Sequence, residues 1–202
     1  MINPMSKPKV ILTDLDGVLR TFPDHHSTDV EKHLGMRKGE FMPIAFQQRF
    51  LEPAITGKIT DDEWRRQIVD ELGKMFEISS VKYAIERWTK YPGKIEEEVL
   101  SLYKEKKTNC KTALLTNATT KLNSDLKALG IFDLFDAIYN TSEIGFAKPD
   151  SRTFHHVLKS VNHAAHEILF IDDRAENIKA ARELGFKVHL FENYQALQAI
   201  LS

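Results

Sequence analysis

The chain has 202 residues, 42% of them hydrophobic, which is enough to bury one hydrophobic core, or a core and a small second domain. Its formal net charge of −1 argues against a nucleic-acid partner, because binding to phosphates requires a basic surface. Its one cysteine excludes an intramolecular disulfide and a cysteine zinc site, which fits a reducing compartment. No apolar run is long enough for a signal-peptide core or a membrane span, so we expect a soluble, cytoplasmic protein without a membrane partner.

The first predicted element is a buried strand at residues 10–12, which are aliphatic and mostly β-branched. The strand continues into Asp14 and Asp16, and Gly17 follows where the chain must turn. Because side chains alternate along an extended strand, the two carboxylates would point the same way. They would repel each other and lose hydration, and a bound cation would compensate for both effects. The alternative is an ordinary turn, in which Asp and Gly are common.

Residues 21–92 show helical patterning and no convincing strand. Thr60 and Glu63 have the spacing of a capping box, which predicts the start of one helix. Two further helices are predicted to begin at hydroxyl residues, namely Ser27 or Thr28 and Ser79 or Ser80. We therefore predict a small helical domain at residues 21–92, inserted into a core formed by residues 1–20 and 93–202.

In the second half of the chain, helices and strands alternate. Helical spacing is predicted to begin at Ile95, and strands are predicted at residues 112–115, 137–139, 168–171 and 188–191. Strict alternation indicates an α/β fold with a doubly wound parallel sheet. Ligands of such sheets bind at the carboxyl ends of the strands, beside the topological switch point.

Polar residues follow these strands, and we expect them to meet at one edge of the sheet: Asp14, Asp16, Thr116, Asn117, Lys148, Asp172 and Asp173. Four carboxylates against one lysine cannot all stay ionised in a cleft unless a cation joins them. Oxygen ligands with open positions suit Mg²⁺ better than zinc or copper. Lys148, Thr116 and backbone amides can hold a dianion such as phosphate. Together these groups indicate phosphoryl transfer.

Four segments resemble the motifs of the haloacid dehalogenase superfamily of phosphohydrolases and occur in that family's order: residues 14–19, 114–117, 148–149 and 170–173. The resemblance implies a Rossmann-like catalytic core, and the helical insert falls where the family places its first type of cap domain. Residues 172–178 are similar to the branch that contains small sugar-phosphate phosphatases such as bacterial glucose-1-phosphate phosphatase.

The resemblance also implies a role for each catalytic residue. Asp14 would be the nucleophile and form an aspartyl-phosphate. Asp16 would protonate the leaving alcohol and then activate water, and its presence indicates a phosphate substrate, because the dehalogenases of the superfamily lack it. Thr116 would hold phosphate oxygens with Asn117 beside it, and Lys148 would balance charge between the nucleophile and the phosphate.

For the metal, the resemblance implies Mg²⁺ held by Asp14, by the backbone carbonyl of Asp16, by Asp173 directly, and by Asp172 directly or through water. We therefore expect a Mg²⁺-dependent phosphatase that acts on a small phosphorylated metabolite, as a monomer or homodimer. A phosphomutase of the same superfamily would use the same aspartates. A non-catalytic phosphate-binding or regulatory module is the third hypothesis, and a receiver domain differs in the order of its acidic residues.

Some residues have two interpretations. Asn117 is equally consistent with a helix cap. Arg174 could contact phosphate or cover the acidic cluster. Arg20 could contact substrate, but charged residues on a helical bundle usually form its solvated face. Trp64 and Trp88 are expected to belong to the core of the helical insert rather than to a substrate platform.

Overall fold

The computed structural model describes residues 7–202. Residues 1–6 lie outside the described part. The predicted core segment 1–20 and the expectation that there is no signal peptide both include these residues. The strands are β1 (Val10–Thr13), β2 (Arg20–Thr21), β3 (Lys94–Ile95), β4 (Lys111–Thr116), β5 (Ala137–Asn140), β6 (Ile168–Asp172) and β7 (Lys187–Leu190).

The α-helices of the described chain are α1 (His25–Leu34), α2 (Phe41–Ala45), α3 (Gln48–Ile55), α4 (Asp61–Leu72), α5 (Ile78–Lys90), α6 (Glu97–Lys106), α7 (Leu122–Ala128), α8 (Thr141–Ile144), α9 (Ser151–Val161), α10 (Ala175–Glu183) and α11 (Tyr194–Leu201). Within the insert the helices follow one another, and after β3 one helix, or the pair α8 and α9, follows each strand. Every helix in residues 7–202 is too short or too polar to cross a bilayer.

Five strands form a parallel sheet in the order β5-β4-β1-β6-β7. Both faces of this sheet are covered: Ile11 of β1 belongs to one hydrophobic cluster, and its neighbours Val10 and Leu12 belong to another on the opposite face. The predicted α/β fold with a doubly wound parallel sheet is confirmed. The strand order reverses direction at β1, so the switch point lies at the end of that strand.

The register brings the ends of β1 and β6 close to the same level, and β4 extends two residues further. Thr13 at the end of β1 pairs with Leu114 of β4 and Ile171 of β6. The ladder continues one residue further, since the Asp14 amide donates to the Ile171 carbonyl at 2.8 Å. The backbone register therefore places Asp14 beside Asp172 before any side chain is considered.

Helices α1–α5 enclose their own hydrophobic cluster, whose fully buried members all lie between residues 30 and 88. The capping box of Thr60 and Glu63 is confirmed at the start of α4. The predicted starts of the neighbouring helices are wrong by a few residues, because Asp24 and Glu77 precede α1 and α5. Here the Glu77 carboxylate, instead of a serine, accepts from a backbone amide of the first turn. The domain boundaries stay a prediction.

A two-stranded antiparallel sheet joins the insert to the rest of the chain, which the sequence analysis did not anticipate. Arg20 of β2 pairs with Ile95 of β3, and Thr21 pairs with Lys94. Ile95 is therefore in a strand and not in the predicted helix, which begins at Glu97. Two-residue strands are too short for an alternating pattern, so this pairing is set by tertiary contact alone.

Candidate active site

Three carboxylates meet at the carboxyl edge of the sheet. Asp14 follows β1, Asp172 is the last residue of β6 and Asp173 is the next residue, and each offers an oxygen within 4.8 Å of the others. Asp14 and Asp172 are buried, whereas Asp173 is exposed. The structure thus brings together three of the four predicted carboxylates, and the side chain of Asp16 lies outside this group.

Lys148 lies among these carboxylates with its side chain only 1% exposed. Its Nζ donates to the Leu115 carbonyl at 2.9 Å and to Asp172 Oδ2 at 2.7 Å, and lies 3.0 Å from Asp14 Oδ1. Two hydrogen bonds and one close ion pair therefore hold the amine between the two buried carboxylates.

The charges of the cluster do not cancel, because three carboxylates face one lysine. Burial raises the pKa of Asp14 from its ordinary value to about 7, against the attraction of Lys148 and together with the repulsion of Asp172. The pKa of Asp173 is also raised, by burial first and by the charge of Asp172 second. Both raised pKa values show that the cluster has an excess of negative charge when its carboxyl groups are ionised, and a bound cation would compensate for that excess.

The donor set fits Mg²⁺. All three candidate ligands are carboxylate oxygens, which is the chemistry that a small hard cation prefers. Room for the Asp173 carboxylate is made by Gly17, since a Cβ at that position would lie 2.2 Å from Asp173 Oδ2. Gly17 also has a φ of 81°, which a residue with a side chain rarely adopts. Any larger residue at position 17 would displace a candidate ligand.

The hydrogen bonds of Asp14 within the described residues leave one of its oxygens available. Oδ1 accepts from the Leu15 amide at 2.8 Å and faces Lys148, while Oδ2 takes no part in these contacts. A carboxylate held at one oxygen and open at the other has the arrangement of a positioned nucleophile.

Asp172, in contrast, is surrounded by donors. Oδ1 accepts from the Arg174 amide and from Asn177 Nδ2, both at 2.9 Å, and Oδ2 accepts from Lys148. Such a saturated carboxylate chiefly orients Lys148. Sequence reasoning missed Asn177, whose signal would have been an asparagine in the first turn of the helix that follows the acidic pair. The Arg174 guanidinium is exposed, with its Nε 3.4 Å from Glu176 Oε1.

The side chain of Asn117 forms two hydrogen bonds with the backbone of Lys148. Its Oδ1 accepts from the Lys148 amide at 2.8 Å, and its Nδ2 donates to the Lys148 carbonyl at 2.9 Å. Asn117 is therefore no helix cap, since α7 begins only at Leu122. Thr116, buried at the end of β4, is its neighbour. Phosphate binding by Thr116 and Asn117 stays a prediction.

Asp16 forms a bidentate ion pair with Arg20. The Arg20 Nε lies 2.6 Å from Asp16 Oδ1, and Nη2 donates to Oδ2 at 3.0 Å. Arg20 is buried, and its Nη1 also donates to the Pro92 carbonyl at 3.2 Å and lies 3.4 Å from Asp125 Oδ2. The interpretation of Arg20 as part of a solvated face is wrong, because β2 and β3 enclose it at the junction with the insert.

A buried hydroxyl chain supports the backbone at Asp14. Thr13 Oγ1 donates to the Asp14 carbonyl at 2.8 Å, so the Tyr103 hydroxyl, 2.8 Å from the same Oγ1, must be the donor of that second bond. Burial raises the pKa of Tyr103, which keeps this donor protonated. No sequence motif marks Tyr103, since it resembles any apolar position of α6.

A cavity of about 340 Å³ lies between the insert and the core, on the side of Asp16 and Asn117. Trp64 and Trp88 line it. Both also belong to the hydrophobic cluster of the insert, as predicted, and are less than a tenth exposed. The two interpretations of these residues are therefore not exclusive.

Known proteins with similar sequences include two phosphatases. A D-ribitol-5-phosphate phosphatase of Bacteroides thetaiotaomicron is 27% identical over 195 residues, which cover 92% of each chain. A sesquiterpene phosphatase of Aspergillus oryzae is 43% identical over 54 residues, 27% of this chain. This chain spans only 28% of that relative and 13% of a second fungal protein that it matches.

Solved structures with a similar fold include enzymes of the haloacid dehalogenase family. An enzyme of the haloacid dehalogenase family from Bacteroides thetaiotaomicron, crystallised with magnesium and inorganic phosphate, superposes with a TM-score of 0.75 and 25% identity over 94% of this chain and 98% of the other. Residues 8–185 of this sequence match the family of haloacid dehalogenase-like hydrolases. The chain belongs to this family of hydrolases.

Proposed function

We propose that the protein is a Mg²⁺-dependent phosphatase that hydrolyses a small phosphomonoester through an aspartyl-phosphate. The observation that carries this proposal is the buried Asp14 carboxylate, held by Lys148 at one oxygen and open at the other. The similar phosphatase for D-ribitol 5-phosphate and the similar enzyme crystallised with magnesium and phosphate support it.

In the first half of the reaction, Asp14 Oδ2 attacks phosphorus and the bond to the leaving oxygen breaks. Lys148 holds Asp14 in place and attracts the phosphate oxygens. When bound, Mg²⁺ would neutralise the surplus charge of Asp14, Asp172 and Asp173 and draw charge from the phosphoryl group. Asp172 keeps Lys148 between the carboxylates.

Asp16 supplies the proton for the leaving alcohol. Both of its oxygens face Arg20, so the carboxyl group has to leave that ion pair before it can act as a donor. After the alcohol departs, Asp16 accepts a proton from water, and the resulting hydroxide displaces phosphate from Asp14. The products are the free alcohol and inorganic phosphate.

The test is release of phosphate from a panel of phosphomonoesters in Mg²⁺ and in EDTA, with product isomers followed by NMR. We expect Mg²⁺-dependent release equal to the substrate consumed, without an isomer. Isomer formation with little phosphate would identify a phosphomutase instead. Release in EDTA after exhaustive dialysis would contradict the role of the metal. Binding of phosphate without turnover of any ester would indicate a regulatory module.

A further inference from the structure

The cavity between insert and core is lined by aromatic rings. We call six of its side chains the aromatic lining: Phe22, His26, Phe46, Trp64, Trp88 and Tyr91. Contacting rings of this set have centroids 5.1–6.3 Å apart, so they form one connected surface. Stacked and edge-on contacts at these distances favour flat or unsaturated apolar ligands.

Apolar side chains exposed to solvent are concentrated at this cavity. Of the eight large apolar side chains that are exposed in residues 7–202, four line it, namely Phe22, Met42, Phe46 and Tyr91. Each of these four is about 40% exposed. A cluster of exposed apolar groups around a concave site is the usual mark of a binding surface for an apolar partner.

Six of the polar side chains at the cavity are engaged with one another. Asp16 is paired with Arg20, Asp125 is paired with Lys121, and Asp61 accepts from Thr119 at 2.6 Å. A polyol that used these six groups would have to break the bonds between them, which carries a free-energy penalty.

The aromatic lining is also uncharged. His26 Nε2 lies 2.8 Å from the Trp88 carbonyl, so this nitrogen carries a proton and donates it. Partial burial lowers the pKa of His26, which keeps its other nitrogen unprotonated at neutral pH. The ring then presents a flat, neutral face next to Phe22, Trp88 and Tyr91.

We propose that this cavity receives the leaving group and that the leaving group is an apolar alcohol, so that the substrate is the phosphomonoester of a hydrophobic alcohol rather than of a polyol. This inference rests on the proposed function. Asp16 lines the cavity, so an alcohol seated there has its oxygen on the side of the residue that protonates it. The P–O bond to the alcohol breaks, the Asp14–phosphorus bond forms, and the Asp16 proton moves to the alkoxide.

The test compares 3-phenylpropyl phosphate with D-ribitol 5-phosphate. Both leave as primary alcohols, so differences in kcat/KM report the fit of the organic group rather than leaving-group chemistry. We expect kcat/KM to be about 10- to 100-fold higher for the phenylpropyl ester, the factor that burial of one ring corresponds to. An equal or higher value for D-ribitol 5-phosphate overturns the inference and leaves the phosphatase proposal intact.

Matched methionines of the insert provide the variants. Met42 lines the cavity and Met75 does not, and both are exposed, at 39% and 58%. Met42→Gln is expected to lower the preference for the phenylpropyl ester by about 3- to 10-fold, whereas Met75→Gln leaves it unchanged. An equal effect of the two substitutions overturns the inference.

If no ester is turned over, the phosphatase proposal is disproved, but the apolar site can still be tested by measuring ligand binding. In a calorimetric titration, 3-phenylpropylphosphonate is expected to bind at least about tenfold more tightly than methylphosphonate. Met42→Gln should reduce that difference, and Met75→Gln should not. Equal affinities of the two phosphonates, or equal effects of the two variants, overturn the apolar site.

Discussion

The two ends of the candidate site, namely the acidic cluster at the sheet edge and the cavity beside the insert, are built in different ways. At the sheet edge, Asp14, Lys148 and Asp172 are buried ionisable groups; strand register positions the two carboxylates, and hydrogen bonds and an ion pair position the lysine. On the side of the insert, the aromatic lining is apolar and partly exposed, and its positions follow from side-chain packing. A site of the first kind specifies a reaction, and a site of the second kind specifies which molecule enters it. Perturbations of the two ends should therefore have different signatures.

The largest expected effect is at the nucleophile. Asp14→Asn removes the attacking anion and keeps the shape, so kcat should fall by about 10⁴-fold or more. The metal-free variant should melt at a higher temperature than the wild type, because it lacks a carboxylate whose ionisation burial opposes. Steady-state kinetics and thermal unfolding check the two effects. Asp70→Asn, at an exposed site on α4, is the matched control; an Asp14→Asn variant with substantial turnover would exclude the covalent mechanism.

Asp16 distinguishes leaving groups. Asp16→Asn should lower kcat/KM for an alkyl phosphate by about 10²–10⁴-fold, and far less for 4-nitrophenyl phosphate, whose leaving group needs no proton. The kcat/KM parameter is the right measure, since it reports the step that expels the alcohol and not the later hydrolysis of the phosphoenzyme. Equal losses for both esters would contradict proton donation by Asp16.

Lys148 connects chemistry to stability. Lys148→Met leaves Asp14 and Asp172 buried without their cation, so the free energy of unfolding without Mg²⁺ should fall by about 3–5 kcal/mol. Urea denaturation in EDTA measures this. Lys159→Met, at an exposed position of α9, should change stability by less than about 0.5 kcal/mol. Similar values for the two variants would show that Lys148 contributes nothing beyond an ordinary surface lysine.

The pH dependence of metal-free stability reports the buried charge. The pKa of Asp14 is higher in the folded protein, at about 7, than its ordinary value of 3.8, so the folded state binds a proton more tightly than the unfolded chain. Stability is therefore lost as the pH rises from about 4 to about 7. In EDTA the melting temperature should fall from pH 5 to pH 8 more steeply for the wild type than for Asp14→Asn, and Mg²⁺ should reduce the difference. Equal slopes of melting temperature against pH for the wild type and Asp14→Asn would contradict this prediction.

The smallest expected effect is at the hydroxyl chain behind the nucleophile. Tyr103→Phe removes a buried donor and leaves Thr13 bonded to the Asp14 carbonyl, so stability should fall by about 1–2 kcal/mol with little change in KM. Chemical denaturation and kinetics measure both. A loss of turnover as large as that of Asp14→Asn would show that Tyr103 takes part in the reaction itself.

The difference between the two ends also explains what could be predicted. Asp14, Asp172 and Asp173 follow apolar strands, and strand alternation with a doubly wound sheet is enough to bring them together. Lys148 was predicted from the sequence, but its two hydrogen bonds and its ion pair with Asp14 depend on the fold. Arg20 could not be placed, because the strand that encloses it exists only through pairing with a segment more than 70 residues away.

The same limit applies to the aromatic lining. Its members are spread along the insert from Phe22 to Tyr91, and helical spacing alone assigns Trp64 and Trp88 to a hydrophobic core, which is correct but incomplete. Exposure of neighbours such as Phe46 is what marks the cavity, and exposure is a property of the folded molecule. Motifs therefore identify the chemistry here, whereas the substrate preference requires the structure.

The position of Arg20 has a thermodynamic consequence. The Arg20 guanidinium binds the Asp16 carboxylate and the Pro92 carbonyl. The methylene carbons of Arg20 pack against Gly93, since a Cβ at position 93 would lie only 2.7 Å from them. The two connections of the insert and the proton donor of the proposed mechanism thus share one partner. Linked equilibria are reciprocal, so to whatever extent a ligand that separates Asp16 from Arg20 shifts the insert, a shift of the insert weakens the Asp16–Arg20 pair by the same free energy. In the proposed mechanism, delivery of the proton and placement of the insert therefore depend on the same guanidinium.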